Sequence, residues 1–159
     1  MGRKKPSEQH MKTSLATLLI LTLGAAPAWA ILGESESSLG SDRQVLRGTD
    51  RQEFRQGYKL HQIISADGTV VKEFVSPAGL IFAVAWQAPR MPNLQQLLGS
   101  NVTELQAVLH SRTRRHSGGP LIVRKDKLVF VSGGHLRSFH GYAYVPGLVP
   151  DNVSPERLQ

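Results

Sequence analysis

The sequence predicts an α+β domain, in which a mostly antiparallel sheet in the order β-β-β-α-β-β-β carries one main helix packed on a sheet face. Two turn signals, Asp67-Gly68 and Pro77-Ala78-Gly79, separate three β-rich segments. Glycine suits such turns because it adopts positive φ without steric cost. Segments with helical periodicity follow, and further β-rich segments come after them. This order of elements is typical of a sheet covered by a helix.

Residues 80–86 are predicted to form the central strand because they carry no charge on either face. Strict alternation places Leu80, Phe82, Val84 and Trp86 on one side and Ile81, Ala83 and Ala85 on the other. A strand that is apolar on both faces is buried on both faces. The small alanine side chains predict that the main helix packs on their side of the strand.

Two capped helical segments are predicted after this strand. Asn93 caps a short one that ends at Gly99. Asn101, with Glu104 three residues later, has the spacing of a capping box and begins a longer helix that runs to about residue 112. The longer segment is the main helix of the predicted fold.

Three further strands are predicted beyond the helix. Residues 120–123 and 128–131 are expected to form a hairpin, because each is apolar and the four residues between them are charged. Gly133-Gly134 is expected to reverse the chain into a last strand at residues 135–145.

The first thirty residues have the pattern of a secretory signal peptide. Positive residues come first, residues 15–26 are apolar but too few for a membrane span, and Ala28-Trp29-Ala30 is a small-x-small cleavage site. We expect cleavage after Ala30, a periplasmic or secreted product, and no membrane span after cleavage. Residues 31–56 are expected to be a flexible or weakly helical lead-in, and residues 57–159 a single α+β domain.

Composition limits the chemistry of the mature chain. The sequence has no cysteine, which excludes a disulfide framework, a thiol nucleophile and a cysteine metal site. The formal net charge is +7, and removal of the signal peptide leaves a mild excess of positive charge that does not by itself imply nucleic acid. No motif indicates a cofactor.

Several segments of the mature chain together resemble a known family. They are residues 31–33, 46–49, 67–76, 82–86, 92–99, 132–135 and 143–146. In this order they resemble a family of exported bacterial proteins catalogued as domain of unknown function 2844. The resemblance implies export and a single small domain, and it implies no activity and no catalytic residue.

A metal site is not predicted. Histidine is the most common metal ligand, and His135 and His140 are expected to lie five residues apart on one strand. Odd spacing on a strand places two side chains on opposite faces, where they do not share an ion.

A small serine hydrolase is the alternative function. Ser117 and Ser132 each precede Gly-Gly, whose amides suit an oxyanion hole, and His135 follows Ser132 closely. The Gly-x-Ser-x-Gly elbow is missing, however, and Ser-Gly-Gly is ordinary turn composition. The sequence therefore favours no catalytic residue.

The basic residues Arg112, Arg114 and Arg115 are the favoured contact site. Guanidinium groups form charge-assisted contacts to anions, which in an exported protein are an acidic envelope polymer or a protein partner. No aromatic residues are interleaved for base stacking, so nucleic acid is not expected. The same charges are also typical of a solvated loop. The favoured function is a non-enzymatic envelope binding or scaffolding domain.

Overall fold

The computed structural model describes residues 32–38, 49–111 and 119–158. Seven strands dominate this part of the chain: β1 Thr49–Arg55, β2 Tyr58–Ile64, β3 Val70–Val75, β4 Ile81–Ala88, β5 Leu121–Arg124, β6 Val129–His135 and β7 Ser138–Tyr144. They form one antiparallel sheet with the order β1-β2-β3-β4-β7-β6-β5. Two helices, α1 Leu94–Leu98 and α2 Val102–Ser111, lie between β4 and β5. The predicted α+β class is confirmed.

Strand β4 occupies the middle of the sheet, with three strands on either side. Every residue from Ile81 to Trp86 is buried, and Trp86 is 3% exposed. The prediction that residues 80–86 form the central strand, apolar on both faces, is confirmed from Ile81 onward, and the strand continues to Ala88.

A β-bulge changes which residues of β4 share a face. The register of β3 against β4 shifts between Phe74 and Val75, which pair with Ala83 and Ile81, so Phe82 is the extra residue. The extra residue of a bulge interrupts strict alternation. Phe82 packs with Ala83 and Ala85 of β4 rather than on the side where alternation placed it.

The two helices cover one side of the sheet, here called the helix face. They pack against Val84 and Trp86 of β4, and their residues in this core are Leu97, Leu98, Val102 and Leu105. The expectation that the helix would pack on the alanine side is therefore wrong. The bulge places Phe82 on that side, whereas β7 presents the small residues Gly141 and Ala143 to the helix face, opposite Trp86 and Val84.

The opposite side, here called the C-terminal face, is covered by the chain that follows β7. Two 3-10 turns, Pro146–Leu148 and Pro155–Arg157, shape this segment. It packs on aromatic residues of the sheet, where the ring centroids of Phe74 and Phe82 lie 6.2 Å apart. Its residues in this second core are Leu148, Val149, Val153 and Leu158.

The sheet begins earlier than the sequence predicts. Thr49–Arg55 forms β1, so the prediction of a flexible or weakly helical lead-in at residues 31–56 is wrong in this part, and the observed order is β-β-β-β-α-β-β-β. Backbone pairing along the whole of β2 holds β1 in place. The strand escapes prediction because five of its seven residues are exposed, which leaves no apolar alternation to detect. The predicted signal peptide at residues 1–30 lies outside the described residues, as do residues 39–48.

The start of the helical region agrees only partly with prediction. The backbone amide of Gln96 donates to Oδ1 of Asn93, which confirms Asn93 as the cap of α1, and Gly99 ends this helix. Asn101 is not a cap. It lies in a 3-10 turn that joins the two helices, and its side-chain amide donates to the carbonyl of Leu32 at 2.8 Å. No helix among the described residues has the length and apolar character needed to cross a membrane.

The last reversal occurs later than predicted. Strand β6 continues through Gly133-Gly134 to His135, and the chain turns at Leu136 and Arg137 before β7. Arg137 has a φ of 70°, the positive value that a tight turn requires. The predicted final strand at residues 135–145 is therefore wrong at its first residues, and His135 belongs to β6.

Candidate functional site

A cleft of about 570 Å³ lies on the C-terminal face, beside the part of the sheet that the C-terminal segment covers. The covered part includes the row in which Phe74, Ala83 and Tyr144 are cross-strand neighbours. The next two rows form the floor and the rim of the cleft. We call it the open cleft, and it is lined by Val70, Lys72, Ala85, Trp86, Gln87, Pro120, Val131, His140, Gly141 and Tyr142.

The register of four strands shapes the floor of the open cleft. Lys72, Ala85 and Tyr142 are direct cross-strand neighbours on β3, β4 and β7, and Val131 of β6 continues the row. Direct neighbours in an antiparallel sheet have Cβ atoms about 4.5–5.5 Å apart. The single methyl group of Ala85 therefore leaves a depression between two long side chains.

The next row supplies a polar rim. Val70, Gln87, His140 and Gly133 are successive cross-strand neighbours. A Cβ placed on Gly133 would lie 3.4 Å from Nε2 of His140 and 3.5 Å from Cβ of Pro120. The imidazole therefore lies across the glycine, close to the proline ring, and this packing holds it at the rim.

One wall of the open cleft is anchored in the second core. The rings of Tyr142 and Tyr144 are stacked, with centroids 6.4 Å apart and planes inclined by 6°. Tyr144 packs beside residues that the C-terminal segment covers. The ring of Tyr142 is therefore held in one orientation by a neighbour that does not line the cleft.

The lining offers hydrogen-bond donors above an apolar floor. Lys72 supplies an ammonium group with three donors, His140 an imidazole, and Gln87 an amide that donates and accepts. Lys72 also interacts with another group of the chain. Among the described residues that line the cleft there is no Asp, Glu, Ser or Cys, so the lining is suited to binding an anion or a polar ligand.

Residues 28–158 match one protein family, described as a protein of unknown function (DUF2844). The chain belongs to this family. No curated protein and no solved structure matches the sequence. Because the family description carries no activity, the function of this DUF2844 protein has to be inferred from its own geometry.

The structure does not bring Ser132 and His135 together. Ser132 pairs with Gly141, is 5% exposed on the helix face, and donates from Oγ to the carbonyl of His140 at 3.4 Å. His135 lies three residues further along β6, which places it on the C-terminal face, and its ring is exposed. Ser117, the other predicted nucleophile, lies outside the described residues.

The two histidines that were expected on opposite faces share one face. His135 of β6 pairs with Ser138 and His140 of β7 pairs with Gly133, so both side chains belong to the C-terminal face. The prediction of opposite faces is wrong because the chain reverses between the two residues. Within the described ranges, no group of three or more His, Asp or Glu side chains is arranged to hold a metal ion.

The predicted contact residues Arg112, Arg114 and Arg115 lie outside the described residues. The described chain stops at Ser111 and resumes at Gly119, immediately before Pro120 of the open cleft. Their role as an anion or partner site stays a prediction.

A second group of titratable side chains, here called the His61 cluster, lies on the helix face of β1, β2 and β3. His61 is 2% exposed, with Nε2 3.2 Å from Oε1 of Glu36 and Nδ1 3.8 Å from Oδ1 of Asp50. Nζ of Lys59 lies 2.5 Å from the same Glu36 oxygen, and Glu73, fully buried, pairs with His61 across the strands. The Lys59 hydrogen bond holds the pKa of Glu36 below its ordinary value, against the opposite effect of burial, and His61 adds to the lowering.

The His61 cluster attaches the start of the described chain to the sheet, and its members His61 and Glu73 are buried, so we assign it a structural role. Sequence reasoning missed it, although Glu73 alternates with Val71 and Val75, a period of two that places all three on one buried face. The open cleft left no comparable signal. Its residues come from separate strands, and only the register of the sheet brings them together.

Proposed function

We propose that this protein is a non-enzymatic binding domain of the bacterial envelope and that the open cleft is its ligand site. One observation carries the proposal: a small, buried floor residue, Ala85, lies between Lys72 and Tyr142, with Gln87 and His140 at the rim. An apolar depression with a few convergent polar groups is the usual form of a small-molecule site.

The size and position of the open cleft support a binding role. Its volume of about 570 Å³ lies within the range of roughly 300–1,000 Å³ that ligand pockets occupy. The C-terminal segment covers the neighbouring row of the same face, and this coverage ends beside the cleft. The positions of Ser132 and His135 give no support to the hydrolase alternative, whose remaining candidate nucleophile is Ser117.

Export is part of the same proposal. The signal-peptide pattern at residues 1–30 supports it, and so does the resemblance to an exported family. An envelope domain meets acidic polymers and proteins there, and Arg112, Arg114 and Arg115 offer them charge-assisted contacts. Such contacts weaken with salt, because exposed charges are screened over about 8 Å at physiological ionic strength.

The ligand site is tested by screening envelope-derived small molecules against isotope-labelled mature protein, residues 31–159. Bound compounds are expected to shift the amide resonances of Lys72, Ala85 and Tyr142.

A matched pair of substitutions makes this test specific. Ala85→Leu fills the floor of the cleft and should abolish binding, whereas Ala107→Leu adds the same volume at an exposed position of α2 and should leave binding unchanged. Compounds that bind equally well to both variants, or that shift only resonances outside the cleft, would show that the open cleft is not the ligand site.

The arginine contact is tested separately by pull-down from envelope extract at low and high salt. Replacing Arg112, Arg114 and Arg115 with glutamine should reduce capture of acidic polymer or protein at low salt. The charge-matched control replaces three exposed arginines elsewhere: Arg51, Arg90 and Arg157. Equal loss in both triple variants would mean that general charge, rather than this segment, is responsible.

A further inference from the structure

We propose that the outer edge of β1 binds a second copy of this protein, so that two β1 strands pair antiparallel about a two-fold axis at Gln52 and the two sheets become continuous. No residue of β1 lines the open cleft, so this surface is independent of the proposed ligand site.

The outer edge of β1 is long, regular and accessible. Strand β1 lies at one end of the sheet that the described residues form, and all seven of its residues pair with β2 without a register shift. Backbone groups of alternate residues on such a strand point away from the sheet. Five of the seven residues are exposed. A long accessible edge of this kind is a template for another strand.

Pairing at Gln52 matches the charges of the two copies. Gln52 is the middle residue of β1, so the two-fold axis places Arg51 of each copy opposite Glu53 of the other. Direct cross-strand neighbours have Cβ atoms about 4.5–5.5 Å apart, closer than the roughly 7 Å between residues two apart on one strand. The four side chains therefore alternate in sign, and each has an opposite charge as its nearest cross-strand neighbour.

The contacts that Glu53 makes within its own chain are compatible with this pairing. Its carboxylate oxygens lie 3.3 Å from Nε of Arg51 and 2.5 Å from Nη2 of Arg55. The side chains of the two arginines are 74% and 55% exposed, so both are accessible to a second strand. A carboxylate has about four acceptor positions and a guanidinium five donors. A second copy therefore extends this group of ion pairs and does not have to break it.

The other face of the same strand carries an exposed aromatic ring. Phe54 is 79% exposed, with Nζ of Lys59 on β2 5.5 Å from its ring centroid. Alternation places Phe54, Gln52 and Asp50 on one face. In the two-fold pair, Phe54 lies opposite Asp50 of the second copy and diagonal to its Gln52, within reach of an aromatic side chain. The second copy therefore covers part of a ring that is otherwise in water.

A second copy fits this edge because the contact is self-complementary. The two-fold axis exchanges the contact of Arg51 with Glu53 for an identical one, so the same residues serve both copies. Such a contact closes at two copies, whereas pairing of β1 with the four-residue edge strand β5 would build open chains. Two seven-residue strands form a small interface, so we expect a reversible dimer.

The dimer is tested by sedimentation of the mature protein, residues 31–159, over a range of micromolar concentrations, where a reversible monomer–dimer equilibrium is expected. Arg51→Glu sets carboxylate against carboxylate at both contacts, and Glu53→Arg sets guanidinium against guanidinium. Each variant alone should dimerise at least about tenfold more weakly than wild type, because like charges directly opposite each other are destabilising.

Mixing the two variants provides the specific readout. An equimolar mixture of Arg51→Glu and Glu53→Arg again has opposite charges at both contacts, so it should form a heterodimer about as tightly as wild type dimerises. Recovery in the mixture also shows that both variants are folded. Arg124→Glu, at an exposed residue of β5 on the other edge of the sheet, is the matched control and should dimerise as wild type does.

Single cysteines test the register, since the sequence contains no other cysteine. Gln52→Cys places the two thiols directly opposite each other across the axis, so mild oxidation should yield a disulfide-linked dimer. Thr49→Cys, on the same strand, places them roughly 20 Å apart and should not be linked. Parallel pairing in register would link both variants.

Four outcomes would overturn the proposal. They are a monomer throughout the concentration range, a dimer that Arg51→Glu and Glu53→Arg leave intact, a mixture of these variants that stays monomeric, and equal linkage of the two cysteine variants. None of them affects the proposed function of the open cleft, which the ligand screen tests by itself.

Discussion

The imidazole Nε2 of His61 lies 3.2 Å from Oε1 of Glu36, which is 25 residues earlier in the chain. This contact attaches residues 32–38 to the helix face of the sheet. Backbone bonds extend the attachment, since Gly33 donates to the carbonyl of Ile81 and Ile81 donates to the carbonyl of Glu34, both at 2.8 Å. The residues that directly follow the predicted cleavage site are therefore part of the folded domain.

Glu36→Gln is expected to remove an acid-dependent part of the stability. The Lys59 hydrogen bond lowers the pKa of Glu36 in the folded protein below the ordinary value of 4.5. A carboxylate with a lowered folded pKa stabilises the fold fully above its unfolded pKa, and this contribution is lost as the pH falls through the folded pKa. The free energy of unfolding of wild type should therefore exceed that of the variant at neutral pH, and the gap should close below pH 4.5.

Urea unfolding of both proteins at a series of pH values measures this gap. Glu34→Gln is the control, because Glu34 is exposed and lies only two residues from Glu36. A gap between wild type and Glu36→Gln that stays constant down to the acid limit would contradict the assignment of the acid dependence to Glu36.

Local patterns predicted the elements that local chemistry determines. Gly68 and Gly79 have φ values of 84° and 76°, as the two turn signals require, and Asn93 caps a helix. Residues 81–86 lie in the central strand because an uncharged segment has no face to present to water. Each of these features depends on a few neighbouring residues, so the sequence shows it directly.

The features that escaped prediction depend on pairing between distant segments. Phe82 lies on the face opposite to the one that strict alternation predicts, because the register of β3 against β4 shifts. Strand β1 forms because its backbone pairs with that of β2. The open cleft arises where Lys72, Ala85 and Tyr142 meet in one row of three strands. A shift of one residue in any of these pairings would move a side chain to the other face and remove the cleft.

Trp86→Ala is expected to lower the free energy of unfolding by about 3–5 kcal/mol, the usual cost of emptying a large aromatic site in a core. Trp86 is 3% exposed, and its ring centroid lies 5.6 Å from that of Phe130. Chemical denaturation monitored by circular dichroism measures the loss. Leu109→Ala, at a residue that is 42% exposed on α2, serves as the control. A loss below about 1 kcal/mol at Trp86 would argue against its burial.

Gly141→Ala is expected to cost about 1–3 kcal/mol because the added methyl group overpacks the core. A Cβ at this position would come within 3.0 Å of the Trp86 ring and of the Val131 carbonyl. Gly147→Ala is the control, since nothing lies within 4 Å of a Cβ there. In a Trp86→Ala background the cost of Gly141→Ala should fall by at least about 0.5 kcal/mol, which a double-mutant cycle detects. Additive losses would show that the ring and the glycine are not in contact.

Gly57→Ala should destabilise the domain more than Gly68→Ala. Both glycines have positive φ, 90° and 84°, so both variants carry the backbone cost of roughly 1–2 kcal/mol. A Cβ on Gly57 would also lie 2.5 Å from the side-chain nitrogen of Asn152, whereas nothing lies within 4 Å of one on Gly68. Thermal unfolding compares the two. Adding Asn152→Ala should bring Gly57→Ala close to Gly68→Ala, and an unchanged difference would rule out the steric explanation.

The exported protein is expected to begin at Ile31. Ala30 is the small residue at the end of the cleavage site, and the folded domain begins almost at once, since Leu32 is 1% exposed and donates from its backbone N to the carbonyl of Leu97. N-terminal sequencing of protein from the periplasm or the medium should therefore read Ile31-Leu32-Gly33. Ala30→Leu should block cleavage and keep the precursor in the membrane fraction, whereas Trp29→Leu, at the variable middle position, should be processed normally. A periplasmic or secreted chain that still begins at Met1 or Met11, or normal processing of Ala30→Leu, would refute cleavage at this site.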